Sequence, residues 1–285
     1  MKNMYDCYTL NNGVKNPCLG YGTYKAADGK SADIIQMAIE AGYRYFDTAS
    51  FYGTEEYLAE AIRRSGVPRE EFFITSKAWK TQMGYENVKE AFRQSLEALK
   101  TDYLDLYLIH WPRPDLERAD WKELDARVWD CLQELYQQGK VRAIGTSNFL
   151  PHHLMNLAAR GGLLPMINQL EYHPGYLQSA AVQYCRENHI QVSAWSPLGR
   201  RRLMDDPLLS EIAAAHQVTV PQVCLRFALQ NGVLPLPKSS SPKRMRENLD
   251  LFRFSLSQEE MSWIATMPQT AWSGEHPDRE RALLS

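Results

Sequence analysis

The sequence predicts an α/β protein folded as a (β/α)8 barrel behind a short N-terminal β-hairpin. Three observations carry this reading. The chain has 285 residues, which suits a barrel of roughly 250 residues with additions at its ends. Short β-rich runs alternate with amphipathic stretches, and eight such runs end near Gly22, Thr48, Lys77, His110, Ser147, Leu170, Trp195 and Lys238. Polar residues gather at those ends, the face on which barrels build their sites.

An open doubly wound sheet also alternates strands and helices, but it would usually carry G-x-G-x-x-G after its first strand. Here Gly20-Tyr21-Gly22-Thr23-Tyr24 lacks the third glycine. No linker, low-complexity segment or short-period repeat divides the chain, so residues 1–285 are expected to form one domain.

In chain order, Asn12-Gly13 between Leu10 and Val14 marks a hairpin turn. Runs such as Tyr43 to Asp47, Phe72 to Ser76 and Leu104 to Ile109 are apolar enough for strands covered on both faces. Helices are expected over Ala32 to Ala41, Glu55 to Ser65, Tyr85 to Lys100, Trp121 to Gly139, Pro151 to Ala159, Leu177 to Asn188 and Pro221 to Gln230. Gly42, Gly66 and Gly139 stand where helices should stop, and Ser241-Pro242 reads as an N-cap followed by proline at the first helical position.

Composition excludes several function classes. Hydrophobic residues make up 44% and charged residues 23%, with a net charge of −2, so no basic excess speaks for nucleic acid or a membrane surface. No apolar run approaches the ~20 residues of a membrane span, and the first residues lack a signal-peptide core. Cys7, Cys18, Cys131, Cys185 and Cys224 are scattered without a C-x-x-C pair and read as reduced thiols in a cytoplasmic protein. No metal is expected. H-E-x-x-H is absent, and the adjacent His152 and His153 should point apart on a helix as surface residues.

The strand ends carry the chemistry. Asp47, Lys77, His110, Ser147-Asn148 and Gln169 would converge on one mouth. Around them, Gly42 to Glu55 with its Asp47-Thr48-Ala49-Ser50-Phe51-Tyr52-Gly53 core, Thr75-Ser76-Lys77-Ala78-Trp79 and Tyr103 to Pro112 resemble motifs of the aldo-keto reductase family. Gly145-Thr146-Ser147-Asn148-Phe149, Asn168 to Pro174, and Pro237-Lys238-Ser239 with Arg244, Glu247 and Asn248 follow in the same order. The resemblance runs from about Leu10 to about Met267.

That resemblance implies NADPH-dependent reduction of an aldehyde or ketone to an alcohol, with Asp47, Tyr52, Lys77 and His110 as the catalytic four. Hydride delivery builds negative charge on the carbonyl oxygen, and Tyr52 would supply the proton. Lys77 would ease that donation, Asp47 would fix Lys77, and His110 would orient the substrate oxygen. Gly22, Thr23, Tyr24 and Asp47 are implied beside the cofactor, with Ser147, Asn148 and Gln169 on the nicotinamide amide. Trp195 would stack on the ring, Ser196 and Leu198 would line the pyrophosphate, Lys238, Ser239 and Arg244 would hold a 2′-phosphate, and Glu247 and Asn248 would face the adenine. Tyr24, Trp79, His110 and Trp111 would wall the pocket for a small carbonyl compound. Family likeness implies a monomer.

Three departures stand out. Thr54 replaces the family's usual asparagine, with little effect expected because the position is not catalytic. Arg200-Arg201-Arg202 stands where relatives often carry a glycine between arginines, so a stiffer loop is expected. The short tail after Met267 is expected to leave the pocket open. Two other readings compete: a non-catalytic NADPH-binding regulatory subunit, disfavoured because all four catalytic positions are filled, and a barrel hydrolase or lyase, which would need paired carboxylates or a metal cluster.

Overall fold

The computed structural model describes residues 1–26, 32–280 and 282. Strands β1 (Cys7–Thr9) and β2 (Lys15–Pro17) form the expected antiparallel hairpin. Its turn differs from a two-residue one: Leu10 N–H bonds Val14 O at 2.9 Å, leaving three residues at the tip with Gly13 at φ +86°. Glycine takes that left-handed position without a Cβ penalty.

The barrel follows. Its strands are β3 (Tyr21–Gly22), β4 (Tyr45–Asp47), β5 (Phe73–Ala78), β6 (Leu104–Ile109), β7 (Val141–Ser147), β8 (Ile167–Glu171), β9 (Gln191–Trp195) and β10 (Leu234–Pro235). They pair in parallel, each with its sequence neighbour. Gly20 and Gly22 N–H groups bond the carbonyls of Pro235 and Pro237 at 3.2 and 3.0 Å, joining the first strand to the last. Only a residue without a side chain fits at Gly20, where a Cβ would lie 2.6 Å from Leu236 and 2.8 Å from Tyr45. The last strand stops at Pro235 rather than near Lys238, because Pro235 and Pro237 have no N–H to extend a ladder.

Between the strands run α1 (Asp33–Ala41), α2 (Glu55–Ser65), α3 (Tyr85–Leu99), α4 (Trp121–Gln137), α5 (Pro151–Ala158) and α6 (Ser179–Glu187). Helices α7 (Pro207–Ala215), α8 (Val220–Gln230), α9 (Pro242–Leu249) and α10 (Gln258–Ala265) complete the order. Gly42 and Gly66 end α1 and α2 in the left-handed conformation, and Gly139 follows α4 at φ +70°. Helices α7 and α10 lie outside the expected set, although both carry start signals. Asp206 accepts from Leu209 N–H, and Ser257 with Glu260 forms a capping box. The buried apolar side chains form a continuous cluster from Leu10 to Ala271. Among the described residues no helix is long and apolar enough to cross a membrane.

At the N-terminal end of the barrel, the fully buried Asp105 opens β6. It accepts from Arg69 and Arg142 at 2.8 Å each and from Ile74 N–H at 2.9 Å. One carboxylate thus ties the segment before β5, β5 itself and β7 to β6. Removing it strands two cations and a buried N–H. Asp105→Ala should therefore cost about 2–4 kcal/mol, the arginines' own solvent access limiting the loss. Denaturant unfolding checks this, and an unchanged midpoint would contradict the assignment of Asp105 as the clamp of this end.

Candidate active site

Strand geometry delivers the polar ends to one face. In β4, Asp47 pairs in register with Thr75 of β5, and Lys77 of β5 pairs with Leu108 of β6, so successive strand ends step around the mouth. Tyr52 comes from a 3-10 turn over Ser50–Tyr52 just after β4, held by Ser50 Oγ donating to Lys77 O at 3.0 Å.

The four expected catalytic side chains meet. Lys77 Nζ contacts Asp47 Oδ1 at 2.6 Å, Thr48 O at 2.9 Å and Tyr52 OH at 3.3 Å. Tyr52 OH lies 3.5 Å from His110 Nε2. Gln169 Nε2 donates to the other oxygen of Asp47 at 2.8 Å, from across the barrel. Lys77 is fully buried, so the ammonium is stable there only because carboxylate, carbonyl and phenol oxygens surround it.

Burial, then the charge of Asp47, holds the Tyr52 phenol well above its usual range, so it keeps its proton at neutral pH. The expected easing by Lys77 does not show as a net effect. Burial pulls Lys77 itself down, against the charge and hydrogen bond of Asp47. Burial, followed by the charges of Lys77 and Lys80, holds His110 well below the usual imidazole range and therefore neutral.

Behind His110 lies a network around Asn148. Its amide donates to His110 O at 3.0 Å and Ser147 Oγ at 3.1 Å, and accepts from Trp195 Nε1 at 2.8 Å. Asn148 sits at φ +63°, a conformation asparagine tolerates. Ser147 Oγ donates to Gln169 O at 3.0 Å. Trp195 is half-buried at the end of β9, its indole plane fixed by Asn148 and covered by Arg200 at 5.7 Å. Next along, Ser196 takes φ +49°, and Leu198 packs partly buried against the core.

Gly22 and Thr23 lie under the first strand end. Thr23 Oγ1 reaches Asp47 O at 3.1 Å and Thr54 Oγ1 at 2.9 Å, and Thr54 also meets Thr48 Oγ1 at 3.0 Å. The buried Thr54 thus braces the backbone on both sides of Asp47, a role its expected neutrality did not foresee. Tyr24 is exposed, its ring 5.0 Å from that of Tyr52. Trp79 stacks on Phe51 at 3.8 Å and stands edge-on to His110, and Trp111 is nearly buried beside Lys80.

Lys238 and Arg244 stand together near the start of α9, where Ser241 caps Arg244 N–H at 3.5 Å. Burial and the charges of Arg244 and Lys25 pull the Lys238 ammonium down. Lys25, in the loop after β3, is thus a third cation at this place, and nothing in its local sequence marks it. Among the described residues, none of the three has a carboxylate within 4.0 Å. An uncompensated cation cluster at a helix start is what a phosphate-bearing ligand needs. Ser239 is buried nearby, and its carbonyl accepts from Tyr21 OH at 2.5 Å. Glu247 is half-buried with Lys243 at 3.8 Å, while Asn248 is buried and the Tyr43 hydroxyl donates to Met245 O of the same helix at 3.3 Å.

The short tail is anchored along the β8 and β9 side of the mouth. Ser273 donates to Glu171 through Oγ at 2.7 Å and N–H at 2.9 Å, Arg202 donates to Trp272 O at 2.6 Å, and Arg200 faces Glu275 at 3.9 Å. Arg200 and Arg201 both take left-handed φ, the conformation a glycine would relieve.

The surface reading holds for the exposed His152 and is corrected for His153, and the two do not point apart. Their rings lie 3.9 Å apart, His153 is fully buried, and each Nε2 meets one oxygen of Asp278, at 3.1 and 3.0 Å. These ligand atoms fall within 4.8 Å of one another, close enough in distance for an ion. Protonation argues otherwise. Leu150 N–H donates to His153 Nδ1 at 3.1 Å, so Nε2 keeps the proton and donates to Asp278. Burial brings His153 down to about 4, and a neutral imidazole with a protonated Nε2 offers that atom to no metal. The cluster pins the tail.

Comparison with known proteins agrees with this geometry. Residues 18–267 match the aldo/keto reductase family. A glyoxal reductase of Bacillus subtilis (strain 168) is 45% identical over 274 residues, covering 96% of each chain. The methylglyoxal reductase DkgA of Escherichia coli O157:H7 is 36% identical over 272 residues, covering 95% of this chain and 96% of its own. A crystal structure of an aldo/keto reductase from Brucella melitensis superposes with a TM-score of 0.86 at 39% identity, covering 91% of this chain and 98% of the other. The chain belongs to the aldo/keto reductase family and is an oxidoreductase that reduces carbonyl groups to alcohols.

Proposed function

We propose that this chain reduces small aldehydes, 2-oxoaldehydes among them, with NADPH as hydride source and Tyr52 as proton donor. The observation that carries the proposal is the meeting of Tyr52 OH with Lys77 Nζ at 3.3 Å and His110 Nε2 at 3.5 Å. The substrate class follows the glyoxal and methylglyoxal reductases that the chain resembles. The preference for NADPH over NADH rests on Lys25, Lys238 and Arg244, none of which has a carboxylate within 4.0 Å among the described residues.

The nicotinamide, when bound, supplies the hydride. The chain's residues do the rest. His110, neutral, orients the carbonyl oxygen through Nε2. Tyr52 passes its proton to that oxygen as negative charge develops there. Lys77 stabilises the tyrosinate left behind, and Asp47 holds Lys77 in line. Ser147 and Gln169, at the neighbouring strand ends, hold the carboxamide, and Trp195 offers its face to the ring. Trp79 and Trp111 exclude water from the substrate side. The free cysteines fit a reducing cytoplasm, and a monomer suffices because every proposed group comes from one chain.

Two substitutions test this. Tyr52→Phe removes one oxygen and little volume. Steady-state reduction of methylglyoxal should fall by at least the ~10²–10⁴-fold typical of a general acid, while NADPH quenching of tryptophan fluorescence keeps its midpoint. Full turnover in the Phe variant would remove Tyr52 from the role. Arg244→Ala should weaken NADPH by roughly 10- to 100-fold, the worth of one charge-assisted hydrogen bond, and leave NADH nearly unchanged. Equal losses for both cofactors would take Arg244 off the 2′-phosphate.

A further inference from the structure

We propose that Lys80 is a specificity-determining residue that receives an anionic group, a carboxylate or a phosphate, carried by the aldehyde under reduction. The inference rests on the reading of the mouth as the aldehyde site and adds a second contact to it. Lys80 opens a 3-10 turn, Lys80–Gln82, immediately after β5 and Trp79. That turn is rigidly placed. Gln82 Oε1 accepts from Trp79 N–H at 2.7 Å and from Ser50 Oγ at 2.8 Å, tying it to the segment that carries Tyr52.

The ammonium stands 4.9 Å from the centroid of the Trp111 ring, and Trp111 follows His110 directly. The Trp79 ring lies 4.9 Å from that of His110. Lys80 therefore rests on an aromatic side chain adjacent in sequence to His110, and the residue before it, Trp79, packs on the His110 ring. Its position after β5, two strands from β3 and three from β10 around the barrel, separates it from the Lys25, Lys238 and Arg244 cluster.

The charge is incompletely answered. Among the described residues no carboxylate comes within 4.0 Å of Lys80 Nζ. Glu275 of the tail favours the ammonium from farther off and is itself shared with Arg200 at 3.9 Å. Burial outweighs this and pulls Lys80 below the usual lysine range, while its charge helps keep His110 neutral. A half-buried cation resting on an indole face and lacking a paired carboxylate gains most from an incoming anion, which restores the lost solvation. An aldehyde with its carbonyl at His110 and Tyr52 can present such a group to Lys80 across Trp111.

The test compares charged and neutral partners in wild type, Lys80→Met and Lys80→Arg. One pair is 4-carboxybenzaldehyde and its methyl ester; the other is glyceraldehyde 3-phosphate and glyceraldehyde. In Lys80→Met, KM for a charged member should rise about 10- to 100-fold, with the neutral member nearly unchanged. Lys80→Arg should keep most of the discrimination, and added salt should weaken only the charged substrates. Selective loss in one pair names the anion. Equal losses for charged and neutral members, or none in either pair, would overturn the proposal. Tryptophan fluorescence titration with benzoate, which needs no turnover, reads Lys80 separately: binding by wild type and its loss in Lys80→Met support the site, and identical binding refutes it. A wild type that reduces none of the four aldehydes but loses benzoate binding in Lys80→Met would count against the small-aldehyde reading alone.

Discussion

A buried ion pair, Lys77 on Asp47 at 2.6 Å, is the constraint around which the mouth of this barrel is built. Taking two charges out of water costs several kcal/mol per ion, and mutual attraction repays it only where further hydrogen bonds complete the shell. Here Thr48 O, Tyr52 OH and Gln169 Nε2 do so. Because Asp47, Lys77 and Gln169 belong to β4, β5 and β8, the three together span the barrel and tie those strand ends to one another. Apolar residues of similar volume would be no less stable in that place, so the account of why the pair is there must be chemical.

The chemistry depends on what the pair does to its neighbours. A lone buried ammonium beside Tyr52 would draw out the phenolic proton. With Asp47 attached, the phenol stays protonated until charge appears on a substrate oxygen. In the proposed reaction, proton donation is thereby coupled to hydride arrival. His110 is kept neutral by burial and by two nearby lysines, so in that proposal it positions an oxygen without competing as the acid. Thr23, Thr48 and Thr54 hold the backbone around Asp47 rigid, which placement at this scale requires.

Strand ends were legible in the sequence because strand and site obey the same rule. Apolar runs covered on both faces end in polar residues only where a barrel opens, so Asp47, Lys77, His110, Ser147 and Gln169 announced themselves. Residues that act through distant partners did not. Lys25 gains meaning only beside Lys238, Thr54 only between Thr23 and Thr48, and His153 only under Asp278. Adjacent histidines should diverge on a regular helix; these lie in the first turn of α5, where Asp278 draws both to itself. The tail's anchorage is likewise invisible in its own sequence, because Ser273 and Asp278 find their partners in Glu171 and His153. Helices α7 and α10 carried their caps in the sequence, but their amphipathic patterns are short.

The most direct test of the ion pair's role is a double-mutant cycle at its two members, read for stability and for turnover. Asp47→Asn leaves a buried ammonium without its counter-charge and should destabilise the protein by about 3–5 kcal/mol. Adding Lys77→Met should restore most of that stability, because no unpaired charge remains, while aldehyde reduction stays at least about a hundredfold down. Recovery of turnover together with stability in the double variant, or an Asp47→Asn protein as stable and active as the wild type, would contradict the account.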